Sequence, residues 1–449
     1  IRDTVDFAIT RHDLRALPVP EREAQARRLA AEHAATGFNL AHDLMLRVDH
    51  VAMEDDEAVM LFNLHHIASD GWSMDLLIRE FIQRYEADDD GRLPNEQPLP
   101  LHYADFAGWQ REWLQGAPME QQFAYWQRQL ADLPSVHSLP LDHPRPAVAG
   151  TRGARHYFSV PAELQAGIAQ LARAHQATVF MVLHGALCVL LSRCSGSEDI
   201  VIGTPVANRL QRELEDLIGC FANTLVLRTS TAGNPGFVEL LDRVKAVNLG
   251  AQAHQDMPFD HLVERLNPVR STQYSPVFQV LFSMGVINVE GPVNLALDDA
   301  SFEVLPETDL TAKYELTFDA SETRDGLAFH IEYNRDLWEP GTMARLAAQY
   351  VALLQSIVAT PQASISTLAL LDAPQRRAAV QALCGEVQPV PAQSLAALLQ
   401  AGSARAPDAL AVVGEDEQLT HAELQRRAGQ LAHWLRGQGL QPDERVGLC

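Results

Sequence analysis

An apolar run, Ala58 to Leu64, leads straight into His65-His66-Ile67-Ala68-Ser69-Asp70-Gly71, and a helical stripe follows at Leu77, Ile78, Phe81, Ile82 and Tyr85. A strand, a polar turn and an amphipathic helix in that order constrain the fold more than any other feature of the chain. Leu44 to His50 reads as the neighbouring strand, with Met53-Glu54-Asp55-Asp56-Glu57 as the turn between them. Adjacent side chains on a strand face opposite sides. If the strand continues through the histidines, His66 shares a face with Leu64 and Phe62, and His65 with Asn63 and Leu61. One histidine then does chemistry while the other packs or orients. Ser73 is the expected N-cap of the following helix, and Asp75 suits its positive start. Gly71 permits a tight turn after Asp70 and close approach of a substrate to the backbone.

The pair and the carboxylate four residues beyond it form an acid–base constellation. A histidine near neutral pKa can accept a proton from an attacking amine or hydroxyl, and Asp70 is placed to orient it. No G-x-S-x-G elbow is present, which favours direct transfer of an activated acyl group over a covalent enzyme intermediate. H-E-x-x-H is also absent, so no metal is expected. A purely structural role stays open on these residues alone: a strand-end histidine satisfied in the core, an Asp near a helix start and a turn glycine.

With 449 residues, the chain is too long for one core, and about two to four domains are expected. The net charge of −23 argues against nucleic acid and anionic membranes as partners. Five cysteines without a C-x-x-C pair argue against a disulfide framework or a zinc cage and fit a reducing cytoplasm. The longest apolar run, Thr178 to Leu191, is interrupted by His184 and reads as a buried helix. Starting at Ile1 and ending at Cys449, the chain looks cut from something longer.

Helices are expected over Pro20–His33, Met74–Tyr85, Tyr103–Leu114 and Gln121–Leu130, then a Pro-rich connector over Leu133–Pro146. A second lobe reads strand His156–Val160, helices Pro161–His175 and Thr178–Arg193, strands Asp199–Thr204 and Asn223–Arg228, helix Gly236–Ala253 and strand Phe278–Gly285. Strands near Leu316–Phe318 and Leu327–Tyr333 and a helix over Gly341–Ile357 complete it. Strands and helices alternate without a βαβ repeat, so the fold class is α+β with mixed sheets. Residues 371–392 have linker composition. Beyond them come a helix from Leu395 to Gly402, a strand from Ala409 to Val413, a helix from Leu419 to Leu435 and a strand beginning at Arg445.

Four ordered segments then resemble the condensation domains of non-ribosomal peptide synthetases. His65 to Ser73 looks like the HHxxxDG signature, and Tyr103-Ala104-Asp105-Phe106-Ala107-Gly108-Trp109 is similar to Y-x-D-[FY]-A-x-W. Ile218-Gly219-Cys220-Phe221-Ala222-Asn223-Thr224 resembles I-G-x-F-V-N-T, and His254-Gln255-Asp256-Met257-Pro258-Phe259-Asp260 resembles H-Q-D-x-P-F-E. Two departures stand out. Arg11-His12-Asp13-Leu14-Arg15 is only superficially similar to the early R-H-E-x-L-R-T segment, and its spacing to His65 looks short. The late R-D-x-S-R-N-P-L motif is degenerate over Arg270–Val277, with Arg270 and Pro276 surviving. Leu419-Thr420-His421-Ala422-Glu423-Leu424 looks like the first core motif of an adenylation domain, and its Thr420/Glu423 pair also reads as a plain capping box.

The resemblance implies two lobes similar to chloramphenicol acetyltransferase, arranged as a V around a tunnel. The N-terminal lobe (residues 1–146) would be incomplete at its start, the C-terminal lobe would span 147–370, and an unfinished adenylation domain would start at 393. It implies amide-bond formation between two thioesters carried on the 4'-phosphopantetheine arms of upstream and downstream carrier domains, with no cofactor held by this chain. His66 would be the acting histidine, with His65 beside it. Asp70 would pair with Arg270 to pin the motif loop, and Gly71 would offer a backbone N–H. Asn223, Trp72 and Ser73 would be channel candidates; for Asn223 a capped strand end is an equal alternative, and Trp72, Tyr103, Trp109 and Phe259 read more as packing residues. An epimerisation domain of the same fold, a non-catalytic carrier-docking platform and a free-standing coenzyme A acyltransferase are the rivals. Gly71-Trp72-Ser73 and the Ile218 segment favour condensation.

Overall fold

The computed structural model describes residues 5–89, 98–285, 310–385, 392–441 and 443–447. They form two compact units, residues 1–375 and 376–449.

The first unit begins with a three-stranded sheet of order β1-β2-β3: β1 (Thr10–Asp13), β2 (Leu46–Ala52) and β3 (Ala58–Leu64). β1 runs parallel to β2, and β2 pairs antiparallel with β3 through Leu46↔Leu64 to Ala52↔Ala58. The Arg11–Arg15 segment, set aside on spacing, thus supplies the strand beside β2, where His12 lies 3.0 Å from Asp49. Helix α1 (Val19–Ala35) covers one face, burying Ala26 with Leu14, Val51 and Met53. The turn at Met53–Glu57 is closed by Met53 N–H on the Glu57 carbonyl (2.9 Å).

β3 stops at Leu64, so the histidine pair lies in a turn and not on a strand. His65 causes this: its backbone carbonyl accepts Ala68 N–H (3.0 Å), and its Nδ1 accepts Ile67 N–H (3.0 Å). Capture of these amides takes them out of the ladder. Helix α2 (Gly71–Asp89) opens directly afterwards. Its cap is Asp70 and not Ser73, because Asp70 Oδ1 accepts Ser73 N–H (2.9 Å) and the Asp70 carbonyl accepts Met74 N–H (3.0 Å). Gly71 is the first helical residue, and its φ is not left-handed.

Helices α3 (Tyr103–Trp113) and α4 (Ala117–Gln129) pack away from the first sheet. Phe106 of α3 joins Leu214, Leu217 and Phe221 in one cluster. Phe123 and Trp126 of α4 join Leu225, Val226, Leu227, Met257 and Phe278 in another.

The remainder of the unit comprises β4 (Gly153–Pro161), α5 (Ala162–Ala174), α6 (Val179–Ser195), β5 (Asp199–Val206), β6 (Asn223–Ser230), α7 (Phe237–Gln252), α8 (Phe259–Leu266), β7 (Val280–Met284), β8 (Leu316–Thr323), β9 (Gly326–Asn334) and α9 (Pro340–Ala359). The strands form a six-stranded mixed sheet of order β4-β9-β8-β7-β5-β6, with β7 parallel to both neighbours. Helix α6 is the centre of the largest core, buried without a break from Met181 to Leu191. Thr178 caps it by accepting Met181 N–H, and Gly196 at φ 70 ends it. Its apolar face is continuous because helices and sheet surround it, not lipid; no single helix among the described residues is long and apolar enough to cross a membrane. The α+β class with mixed sheets is as expected, while α8 was not anticipated: it is short and buries only Leu262.

A helix, α10 (Ala373–Leu383), occupies part of the expected linker and buries no residue. The second unit holds α11 (Leu395–Arg405), an antiparallel hairpin of β10 (Leu410–Val413) and β11 (Gln418–Thr420), and α12 (His421–Gly437). Thr420 and Glu423 make the reciprocal capping box. Of the strand expected at Arg445–Cys449, residues 445–447 are not in a strand, and 448–449 lie outside the described residues.

Trp126 is 1% exposed and donates its indole N–H to the His254 carbonyl (3.0 Å). Trp126→Ala is expected to lower stability by about 3–5 kcal/mol, read as a shift in the urea midpoint of the first unit.

Candidate active site

The turn between β3 and α2 meets the loop before β6, and a single carboxylate organises the meeting. Asp70 Oδ1 accepts Ser73 Oγ–H (2.7 Å), Ser73 N–H (2.9 Å) and Arg209 Nη2–H (3.2 Å). Its Oδ2 accepts the backbone N–H groups of Phe221 (3.0 Å) and Ala222 (3.2 Å). The pair is closed from water, with side-chain exposures of 1% for Arg209 and 2% for Asp70. Burial alone would push the Asp70 pKa up. The Ser73 hydroxyl and N–H, the Phe221 N–H and the Arg209 charge outweigh it and hold the carboxyl below the usual carboxylate range.

Arg209, and not Arg270, is therefore the cation of this carboxylate. Arg270 sits on the exposed surface. Arg209 can fill the place because both Nη atoms of its guanidinium meet acceptors, while the buried Nε has no partner. Nη1 donates to the carbonyls of Leu214 and Leu217, Nη2 also reaches Ser73 Oγ (2.9 Å), and the plane lies 4.0 Å from the Phe221 ring centre. Nothing in the sequence distinguishes Arg209 from Arg212 three residues later; only the fold chooses.

Ser73 is 0% exposed and bonds Asp70, Arg209 and both the N–H and carbonyl of Gly219. It is a bracket between segments and not a channel residue. Asn223 is also structural: Nδ2 donates to the carbonyls of Gln255 (2.8 Å) and Met257 (2.7 Å), and Oδ1 accepts Phe259 N–H (3.0 Å). Its amide is engaged at both ends in tying the His254–Phe259 segment to the start of β6. Trp72 is 38% exposed and donates its indole N–H to the Glu215 carbonyl (2.8 Å).

The other motif segments converge on the same loop. Tyr103 donates its hydroxyl to the Cys220 carbonyl (2.9 Å), Asp105 caps α3 at His102 N–H (2.8 Å), and Phe106 stacks 4.7 Å from Phe221. His254 lies flat on Tyr125 at 4.1 Å. Trp109 is 46% exposed and stacks on Trp113, so it is less a core residue than the sequence implied.

The histidines part company. His65 is half-buried and meets Phe38 edge-on at 5.8 Å. His66 is exposed, and the bonds of Asp70 go to other groups: the His66 Nδ1 lies 3.6 Å from Cys220 Sγ. Burial first, then the charges of Asp70 and Asp260, push the Cys220 thiol pKa up. Among the described residues no group of three or more His, Cys, Asp or Glu is placed to hold a metal ion.

The family profile described as Condensation domain matches residues 1–379, and that described as AMP-binding enzyme matches residues 399–449. One of the linear gramicidin synthase proteins of Brevibacillus parabrevis is 40% identical over 99% of the chain. The chain spans only 9% of that relative's length. Among solved structures, the X-domain from teicoplanin biosynthesis, in complex with OxyB, matches with a TM-score of 0.71 and 28% identity, covering 82% of this chain and 80% of that one. A four-domain non-ribosomal peptide synthetase bound to AMP and glycine matches with a TM-score of 0.75 at 23% identity, covering 98% of this chain and 34% of that one, a likeness of fold.

Removing one partner of the buried pair strands the other. Arg209→Met and Asp70→Asn are each expected to cost about 3–5 kcal/mol in urea denaturation, while Arg270→Met stays near wild type. The sign with pH follows from the lowered Asp70 pKa. Its contribution is complete above the unfolded value of about 3.9 and is lost as pH falls through the lower folded value. The gap between wild type and Asp70→Asn should hold from pH 7 to about pH 4 and narrow below it.

Proposed function

As this chain belongs to the condensation-domain family, we propose that its first unit forms an amide bond, passing an aminoacyl or peptidyl group from a carrier-bound thioester to the amine of a carrier-bound aminoacyl thioester. The exposure of His66 carries this reading. Around it Asp70, Ser73 and Arg209 are buried and bonded to one another, and His65 is held in its own turn. Of the motif's two histidines, His66 is the one exposed to a substrate.

The chemistry asks little beyond that. A thioester is already activated, and an α-amino group with a pKa of about 8 keeps a neutral fraction near pH 7. Holding amine and carbonyl in contact can supply up to about 7–11 kcal/mol. The substrates would ride on the 4'-phosphopantetheine arms of an upstream and a downstream carrier domain, with the residues from 399 onward belonging to the adenylation domain that loads one of them.

A docking platform is the second reading, favoured by one observation: a related domain, the X-domain, is described in complex with a protein partner, OxyB. His66→Ala separates the two. With donor and acceptor loaded on carrier domains and the product scored by mass spectrometry, the variant should lose about 100-fold or more in rate while still binding the carriers. Unchanged product formation would refute a catalytic role for His66, and an inactive wild type that binds carriers would favour the platform. Exchange at the donor α-carbon without amide product would indicate epimerisation.

A further inference from the structure

We infer that Cys220 is the positioning residue of His66: its thiol holds the imidazole by Nδ1, so that Nε2 carries the ring hydrogen and is offered to the substrate as a donor. The inference rests on the amide-forming reading and assigns the proton state of its central group.

The contact is 3.6 Å, within reach of a sulfur hydrogen bond. The segment that delivers the thiol is fixed residue by residue. Gly219 N–H donates to Ser73 Oγ (3.1 Å), and the Gly219 carbonyl lies 2.9 Å from the same oxygen. The Cys220 carbonyl takes the Tyr103 hydroxyl, and the next two N–H groups end on Asp70. A Cβ on Gly219 would fall 2.2 Å from the Tyr103 ring, so that ring packs directly on the glycine and leaves no space for a side chain. Asp70 therefore does orient His66, but through the loop it anchors and not by touching the ring.

The direction of the bond follows from the thiol's surroundings. Burial, Asp70 and Asp260 all disfavour a thiolate, the Tyr103 pKa is raised by burial first and then by Cys220 and Asp70, and the Arg209 charge is paired with Asp70. At neutral pH the sulfur therefore keeps its hydrogen and is able to donate it. In the proposed bond Nδ1 accepts that hydrogen, and a ring that accepts at Nδ1 bears its own hydrogen on Nε2.

A donor at Nε2 suits the reaction. As the amine adds to the thioester carbon, the C–N bond forms and the carbonyl oxygen becomes an oxyanion, which Nε2–H can hydrogen-bond. The C–S bond then breaks, and the net proton passes from the amine nitrogen to the leaving thiolate. His66 ends in the state in which it began, having stabilised the oxygen where charge develops.

The test uses the whole chain with carrier-loaded substrates, together with ¹⁵N-histidine labelling. The His66 signals are identified by their loss in His66→Ala. Wild type should show an unprotonated Nδ1 and a protonated Nε2. Cys220→Ala should give a mixture of tautomers and a kcat about tenfold lower, with an unchanged acceptor KM and urea midpoint. Cys220→Ser, whose hydroxyl can donate, should recover most of the rate and the wild-type tautomer. A protonated Nδ1 in wild type, or a Cys220→Ala variant with wild-type kcat and tautomer, overturns the inference, as does a serine variant as slow as the alanine. If wild type forms no amide at all, the functional reading fails, while the ¹⁵N signals still decide the Cys220–His66 bond.

Discussion

A buried carboxylate with a full set of donors holds this molecule's motifs in one place. Asp70 and Arg209 are 139 residues apart in sequence, and Asp70 and Ala222 are 152 apart. Taking both charges out of water costs several kcal/mol per ion, which their mutual attraction offsets only where every remaining lone pair and proton is matched. Here Asp70 meets five donors, and the Nη atoms of Arg209 meet four acceptors. Such a pair tolerates one geometry. It makes the approach of the β3–α2 turn to the β6 loop specific in a way that apolar packing, which accepts small slides, would not.

Helix α2 adds to the same lock. Its first turn presents unpaired N–H groups and a partial positive charge to its cap, and the cap is this same carboxylate. One side chain thus starts a helix, neutralises an arginine and ties down a loop. Asn223 repeats the device without charge, holding the His254–Phe259 segment against β6. Between them, the two residues explain why segments scattered over some 190 positions of sequence share one locality.

The regular elements were legible from local pattern. The strands β2 and β3, the largely apolar α6 and the capped α12 follow from it within a few residues. What escaped is what depends on a partner far along the chain. The ion pair was assigned to Arg270 by resemblance, but an arginine's partner is set by which loop the fold folds back, and Arg209 carries no local mark of it. Ser73 and Asn223 looked like channel residues because polar side chains in a motif read as available; their hydrogen bonds are taken by backbone that only tertiary structure brings near. The strand Ala58–Leu64 ends where the apolar run ends, and the question the sequence left open, whether it continues through His65-His66, is settled by the His65 ring and carbonyl, which capture the amides of Ile67 and Ala68.

This arrangement also sets the electrostatics of the step. An anion develops on the acyl oxygen as the amine adds, and a bare aspartate nearby would oppose it. Asp70 is the nearest buried carboxylate of the motif, yet its charge is met by Arg209 and four further donors, and a neutral thiol stands between it and the imidazole. The clamp thus meets the Asp70 charge locally. The same contacts that give the loop its shape therefore also keep the Asp70 charge paired beside the loop that carries Cys220 to His66.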